Sequence, residues 1–309
     1  MEIKTFYDAR TFTLTYVVFD EETREAVIID PVLDYDPKAS KTWTESVDEV
    51  IEWVKGEELT PKMVLETHAH ADHLSGSQRI KDAFPEAVLA IGEQITQVQA
   101  LFKDVFDLPD DFATDGRQFD RLLQVGEEVE VGPFSFEVLY TPGHTPADSS
   151  YLFKGGDDQP DVVFTGDALF MPDMGTGRCD FPGGSAEDMY NSVTDELYTL
   201  PDETRVMVGH DYQPGDRQEV AWESTIGEQK EKNVRLPADI SKEEFIELRE
   251  ERDATLDAPV LLFQSVQVNV DAGHLPDAQE NGISYLKIPI NVFRPDTDEG
   301  ETEEQEVAA

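Results

Sequence analysis

Cysteine is nearly missing from this chain: Cys179 is the only one in 309 residues. An internal disulfide is therefore excluded, and a reducing compartment is compatible with the sequence. Cations are scarce as well, with 24 Lys and Arg against 67 Asp and Glu, a formal net charge of −43. Only seven of those acids, from Asp296 to Glu306, fall in the tail after Arg294, so the excess is spread over the body. A surface of that sign repels phosphate backbones and anionic lipid headgroups, which argues against nucleic acid and membrane as partners. No run approaches the ~20 apolar residues of a membrane span. The first ten residues include Glu2, Lys4, Asp8 and Arg10 and hold no apolar signal core, so the expected setting is the cytoplasm.

What is present is a chain with strong local patterning. Residues 11–20 and 25–30, rich in Thr, Val, Ile, Tyr and Phe, read as strands, the second closed by Asp30-Pro31. Ser46 with Glu49 reads as a capping box for a helix whose Val47, Val50, Ile51 and Val54 share a face and which Gly56 ends. Residues 61–67 read as a strand. Ile95, Val98, Leu101, Phe102, Val105 and Phe106 have helical spacing, and 107–120, with Pro109, Gly116 and many acids, reads as a loop or lid.

Strand signals resume at 128–131 and 134–140, a hairpin around Gly132-Pro133, then at 150–153 and 161–165 on either side of the turn-rich Gly155-Gly156-Asp157-Asp158. Ser185 and Asp188 cap a helix carrying Met189, Val193, Leu197 and Leu200 on one face, and 204–208 is a further strand. Ser241 with Glu244 opens another helix, ahead of Phe245, Ile246, Leu248 and Leu256, while 259–270 reads as a strand. The order implies an α/β fold of two facing mixed sheets with outer helices. The expected division is a core over 1–215, a packed extension over 216–295, and a disordered acidic tail over 296–309.

Five of the six histidines lie in three clusters, each at the end of an apolar run. The first is Thr67-His68-Ala69-His70-Ala71-Asp72-His73, the second Pro142-Gly143-His144, and the third Gly209-His210-Asp211-Tyr212; Asp167 of Thr165-Gly166-Asp167 joins them. Imidazole with carboxylate suits a borderline or hard metal. Alternate side chains of an extended segment share a face, so His68 and His70 point together. Asp72 and His73, past the turn, aim at a neighbouring point, at the ~3.5–4 Å spacing of two-metal sites. His274 stands alone and reads as an ordinary surface histidine.

The string His68-Ala69-His70-Ala71-Asp72-His73, with His144, Asp167 and His210, resembles the metallo-β-lactamase superfamily over residues 1–215. That resemblance implies an αβ/βα sandwich with a metal site at one edge. Two branches share the ligand set: glyoxalase II thioester hydrolases and the related persulfide dioxygenases. Gly177-Arg178-Cys179-Asp180-Phe181, His210-Asp211-Tyr212 and Thr141-Pro142-Gly143-His144-Thr145-Pro146 resemble the dioxygenase branch. Gly227-Glu228-Gln229-Lys230 and Ser265-Val266-Gln267-Val268-Asn269 resemble its longer bacterial-type members. The segments 93–121 and 167–178 look longer than in the compact dioxygenases.

On that branch, His68, His144 and Asp167 hold one Fe(II) per chain as a 2-His-1-carboxylate triad with open positions for a thiol persulfide and O2. The products are sulfite and thiol, and His70, Asp72, His73 and His210 orient ligands or mark a second site. On the hydrolase branch, His68, His70 and His144 bind one Zn(II), Asp72, His73 and His210 a second, and Asp167 bridges. A non-catalytic metal-binding protein is a third reading, disfavoured by the open positions. Arg178 either anchors a substrate carboxylate or holds Asp180. Tyr212 either donates to substrate or packs on His210. Cys179 has no histidine or second cysteine beside it and reads as inert. The expected partners are small molecules, with a homodimer allowed.

The charge excess itself generates a test. Self-repulsion is tolerable where the Debye length falls to about 3 Å at 1 M salt, so the composition points to a salt-accumulating cytoplasm. The melting temperature is expected to rise steadily from dilute to multimolar KCl in a thermal scan, and a flat or falling trend would contradict this origin of the acidity.

Overall fold

The apolar and β-branched runs near the N-terminus form antiparallel strands β1 (Glu2–Asp8), β2 (Thr13–Phe19) and β3 (Glu25–Ile29). The chain then makes the short strands β4 (Val32–Asp36) and β5 (Lys41–Trp43), helix α1 (Glu45–Gly56), strands β6 (Thr60–Glu66) and β7 (Leu74–Ser75), helix α2 (Ser77–Ala83), strand β8 (Val88–Gly92), helix α3 (Ile95–Val105) and strand β9 (Arg121–Leu123). The second half runs β10 (Glu128–Val131), β11 (Phe134–Tyr140), β12 (Ser149–Phe153), β13 (Val162–Phe164), helix α4 (Ala186–Asn191), β14 (Arg205–Met207) and β15 (Glu223–Thr225). Helices α5 (Ile226–Lys232), α6 (Lys242–Asp253) and α7 (Leu262–Asn269) close it. The computed structural model describes residues 1–156 and 159–292; the acidic tail and part of the 155–158 turn lie outside them.

Two six-stranded mixed sheets result, ordered β1-β2-β3-β6-β8-β9 and β10-β11-β12-β13-β14-β15, with a small β5-β4-β7 sheet beside the first. In the first sheet β3, β6, β8 and β9 are parallel; in the second only β13 and β14 are. The two-residue period of a strand sorts β2 between two cores. Leu14, Tyr16 and Val18 point between the sheets, where they meet Phe136, Tyr151, Phe153 and Phe164. Val17 points the other way, with Ile28 and Val64, into a layer formed by Val47, Val50, Ile51 and Val54 of α1 and Ile95, Val98 and Phe102 of α3. The αβ/βα sandwich expected from the sequence is the observed fold.

Several local expectations change. Ser46 does not cap α1: Thr44 is the boundary residue, and the Ser46 N–H and hydroxyl both donate to the Asp34 carboxylate at 2.8 Å. Ser185, Thr225 and Ser241 do cap their helices, each accepting from the N–H three residues on. The expected strand at 259–270 is helix α7. Leu262 and the whole run from Ser265 to Asn269 are buried, so no amphipathic period was visible and the valines misled. Strands β1, β8, β9 and β15, helix α2 and the small sheet were not anticipated.

The segment 107–120 has no regular structure, as expected, but it is not a lid. Phe112 and Phe119 pack into the α3 layer, and Gln99 accepts from the Gly116 N–H. The chain that borders the cavities described below is 252–260, between α6 and α7. None of the helices among the described residues is long and apolar enough to cross a membrane.

Helix α7 does more than cover the core. The Asn269 amide donates to the carbonyls of His70 and His73, both at 2.8 Å, and its oxygen accepts from the Ser75 N–H at 2.8 Å. One buried side chain thus satisfies three backbone groups of the histidine loop. Asn269→Ala leaves all three unpaired and is expected to cost about 3 kcal/mol, a fall of roughly 6 °C in melting temperature for a domain of this size. A thermal scan showing no measurable shift would contradict this tether.

Candidate metal centre

Four strand ends deliver the ligands. His68, His70, Asp72 and His73 follow β6, His144 follows β11, Asp167 follows β13 and His210 follows β14. The sheets are laced together at this edge. Leu14 and Asp211 donate backbone bonds to Gly209 and Phe12, Ser149 donates to Thr67, and the Tyr151 hydroxyl donates to the Glu66 carbonyl at 2.7 Å. Gly143 holds φ +151 and lies so close to the backbone of Met189 that a Cβ there would stand 2.5 Å from its Cα. Only glycine permits that approach of the His144 loop to α4.

All seven sequence-predicted ligands meet. His68, His144 and Asp167 form one group of donor atoms lying within 4.8 Å of one another, and His70, Asp72, His73 and His210 form a second. His70 falls in the second group, although its ring lies 4.0 Å from that of His68. Asp167 sits between the groups, 3.5 Å from His144 Nε2 and 3.3 Å from His210 Nε2. His210 Nε2 is also 3.3 Å from Asp72.

The imidazoles are oriented by what holds their other nitrogen. His144 Nδ1–H donates to the Arg178 carbonyl at 2.7 Å, and His73 Nδ1–H to the Leu74 carbonyl at 3.1 Å. The Thr67 hydroxyl donates to Asp30 at 2.8 Å and so accepts from His68 Nδ1–H at 3.0 Å. Each of these rings is left with a bare Nε2 for the site, the arrangement typical of metal-bound histidine. Burial and the neighbouring imidazoles hold His68 well below the usual histidine range, and burial first, then His70, holds His73 down to about 4.

His70 is the exception. Its Nε2 is 3.1 Å from Asp30 and 3.6 Å from Glu66. Burial pulls its pKa down, but the Asp30 charge and hydrogen bond, with Glu66, together push it well above the usual value. Asp30 also accepts from the Thr67 N–H, and one oxygen of Glu66 accepts from the hydroxyls of Ser75 and Ser77. Glu66 Oε2 and His70 Nε2 themselves lie buried without a hydrogen-bond partner, so the ring is held there by charge.

A metal fits the rest. Buried and without a hydrogen-bond partner are His68 Nε2, Asp72 Oδ2, His73 Nε2, Asp167 Oδ1 and both ring nitrogens of His70 and of His210. Leaving so many polar atoms unsatisfied costs ~1–3 kcal/mol each, which a cation at their focus offsets.

The remaining predicted residues separate. Arg178 makes a bidentate pair with Asp180, at 2.5 and 2.6 Å, and its third nitrogen donates to the Asp257 carbonyl at 2.6 Å. These bonds tether the 252–260 segment, although Arg178 also borders the cavities. Tyr212 stacks on His210 at 5.5 Å and lines the cavity. Burial and the charges of Asp72 and Asp167 push its phenol well above the usual range, so it stays a donor. Cys179 is buried, with its thiol pushed up mainly by burial, and is inert. His274 is exposed and away from the site.

Two cavities open from the centre. One, of about 370 Å3, is bounded by Asp72, His144, Asp167, Phe170, Met174 and Tyr212; the other, of about 500 Å3, shares His144, Arg178, Leu256 and Pro259 with it. The lengthened 167–178 stretch lines the first, whereas 93–121 borders neither. Arg178 is the lone cation of its stretch of sequence but not of the site: Arg10, Arg235, Arg249 and Arg252 join it on the wall. Sequence reading missed these, together with Asp30, Glu66 and Asn269. Only Asp30 carried a signal, as the last residue of an apolar strand before proline.

Comparison with known proteins agrees with this geometry. Glyoxylase B2 of Dictyostelium discoideum is 44% identical over 95% of this chain and 98% of its own length. The mitochondrial persulfide dioxygenase ETHE1 of Bos taurus is 29% identical over 88% of each chain. The crystal structure of ETHE1 from Myxococcus xanthus superposes with a TM-score of 0.69 at 36% identity, covering 89% of this chain and all of that one. Residues 9–210 match the metallo-beta-lactamase superfamily, and the chain belongs to that superfamily.

Proposed function

We propose that this protein is a mononuclear iron persulfide dioxygenase, converting a low-molecular-weight thiol persulfide, O2 and water into the parent thiol and sulfite. The observation that carries the reading is the separate closure of His68, His144 and Asp167 into a 2-His-1-carboxylate triad, without His70. That donor set is the one used by non-haem Fe(II) oxygenases and leaves coordination positions open. Iron bound there supplies the redox capacity that sulfur oxidation by O2 requires. The likeness to ETHE1 proteins in sequence and fold supports the same choice.

The chain's own side chains do the rest. The Arg178 carbonyl and the Thr67 hydroxyl fix the His144 and His68 rings so that their Nε2 atoms converge. Phe170, Met174, Leu256 and Pro259 make an apolar wall that keeps water from the reacting sulfur. The Tyr212 hydroxyl, held protonated, donates a hydrogen bond to the bound substrate. Arg178 serves as the tether of the cavity's border.

A second reading has its own observation. His70, Asp72, His73 and His210 present a second set of buried, unsatisfied donors, enough for another cation. Two zincs sharing Asp167 suit hydrolysis of a thioester, and the likeness to a protein named glyoxylase B2 leans the same way.

Metal analysis of the purified protein is expected to give about one iron per chain, with O2 uptake on an electrode when a thiol persulfide is added. Two zincs, thioester turnover and no O2 uptake would overturn the dioxygenase reading. Asp72→Ala separates the two further. Loss of a group that only orients the centre lowers O2 uptake by about tenfold, with the iron retained. A dinuclear hydrolase would lose its second metal and essentially all thioester turnover. His144→Ala is expected to remove metal and activity under either reading.

A further inference from the structure

Arginine is unevenly placed in this acidic chain. Of the eleven arginines among the described residues, eight stand within 4 Å of a carboxylate. Arg24, Arg235 and Arg252 do not, and two of these three line the cavity over the metal centre. With 67 acids available, an unpaired guanidinium is the unusual outcome, and two on one wall require a reason. We propose that Arg235 and Arg252 select a thiol carrier bearing two anionic oxygen groups, one for each guanidinium.

Their surroundings are built for this. The Arg235 backbone N–H and that of Leu236 are held by Asn233 Oδ1 at 2.9 and 2.8 Å, and the Asn233 amide donates to the Gly175 carbonyl at 3.2 Å. Gly175, at φ +106, lies directly against the Arg235 stem: a Cβ there would stand 2.2 Å from Arg235 Cγ. The missing side chain at 175 is what lets the stem lie along the wall with its charged end free. Arg252 meets only the Thr255 hydroxyl, at a long 3.4 Å.

The same wall holds Arg249, 6% exposed, whose Nε is buried without a partner while Asp253 neutralises its other end. The only carboxylates on this wall are Asp72 and Asp167, the candidate metal ligands. Arg10 and Arg178, the remaining cations, are already paired with Asp8, Asp34, Glu45 and Asp180. An entering molecule therefore meets two uncommitted positive groups and no uncommitted negative one.

Guanidinium forks bind carboxylate and phosphate alike, with charge-assisted bonds stronger than neutral ones. A cavity of about 370 Å3 suits a small thiol. The inference rests on this site being the reaction centre but is the same for dioxygenase and hydrolase, because both release the carrier as a free thiol.

The test is calorimetric binding of thiols to the metal-loaded protein, at the lowest salt that keeps it folded. The probes are mercaptosuccinate with two carboxylates, 3-mercaptopropionate with one, 2-mercaptoethanol with none, and 4′-phosphopantetheine with a phosphate. Mercaptosuccinate is expected to bind at least about tenfold more tightly than 2-mercaptoethanol, with the monoanion between. Tighter binding of the phosphate probe would also support the proposal and name phosphate as the anion.

Arg235→Gln and Arg252→Gln are each expected to weaken mercaptosuccinate about tenfold, leaving 2-mercaptoethanol and the metal content unchanged. Arg24→Gln, the unpaired arginine outside the cavity, is the control and should change nothing. In turnover the same variants should raise KM for the dianionic substrate and leave kcat alone. Equal affinity for the charged and uncharged thiols, or unchanged affinity in both variants, would overturn the proposal. Charge-selective binding with neither O2 uptake nor thioester turnover would instead sink the reaction assignment and leave this one standing.

Discussion

The structure hinges on one buried carboxylate. Asp30 ends β3 in the left-handed region, at φ +50, where a non-glycine residue is uncommon and usually over-determined by its contacts. Here every polar group is engaged. The Asp30 N–H donates to the Leu65 carbonyl, its carbonyl accepts from the Thr15 hydroxyl, and its carboxylate takes the Thr67 N–H and hydroxyl. Strands β2, β3 and β6 are thereby joined at the point where β6 releases its histidines. Burial works against the Asp30 charge, but His70 first and Thr67 next hold its pKa below the usual carboxylate value. The histidine loop inherits its geometry from that anion.

Much of this was legible because strand ends and ligand types are local properties. A run of β-branched residues closing on Gly-His or Gly-Asp announces both a strand and the side chain it delivers, so all seven ligands and the sandwich followed from pattern. What escaped depends on contacts between distant segments. Helix α7 has no polar face to betray its period, since residues from both of its sides are buried, and Asn269 there reaches back across nearly 200 residues to the histidine loop. Arg235, Arg249 and Arg252 look like ordinary helix and loop cations in one dimension. Only folding places them on one wall, and only folding shows that Arg178 spends its donors on Asp180 and Asp257.

Charge is arranged by depth in this molecule. The acidic residues are mostly on the surface, and where acids are buried they are assigned to an imidazole, a hydroxyl or a guanidinium. Asp211 shows the rule: fully buried, it takes both terminal nitrogens of Arg217 and the N–H groups of Gln213 and Ala221, which fixes the turn after His210. Against that background the free guanidinium groups near the cavity are the inverse feature. A field that repels anions over most of the surface, with two of the three unpaired guanidinium groups on one concave wall, favours that wall as the place where an anionic molecule settles.

The same depth ordering bears on metal count. Seven candidate ligands suffice for two cations, so their identity alone does not set the number, and how the layer behind them groups them matters. Asp30 and Glu66 stand 3.1 and 3.6 Å from His70 Nε2, and His70 groups with Asp72, His73 and His210. The first group is left with two imidazoles and one carboxylate. A ring held this way beside two carboxylates is stiff, because moving it would take from Asp30 and Glu66 the imidazole that offsets their burial. How the donors group is thus bound up with residues that stand behind them, Asp30 and Glu66 among them.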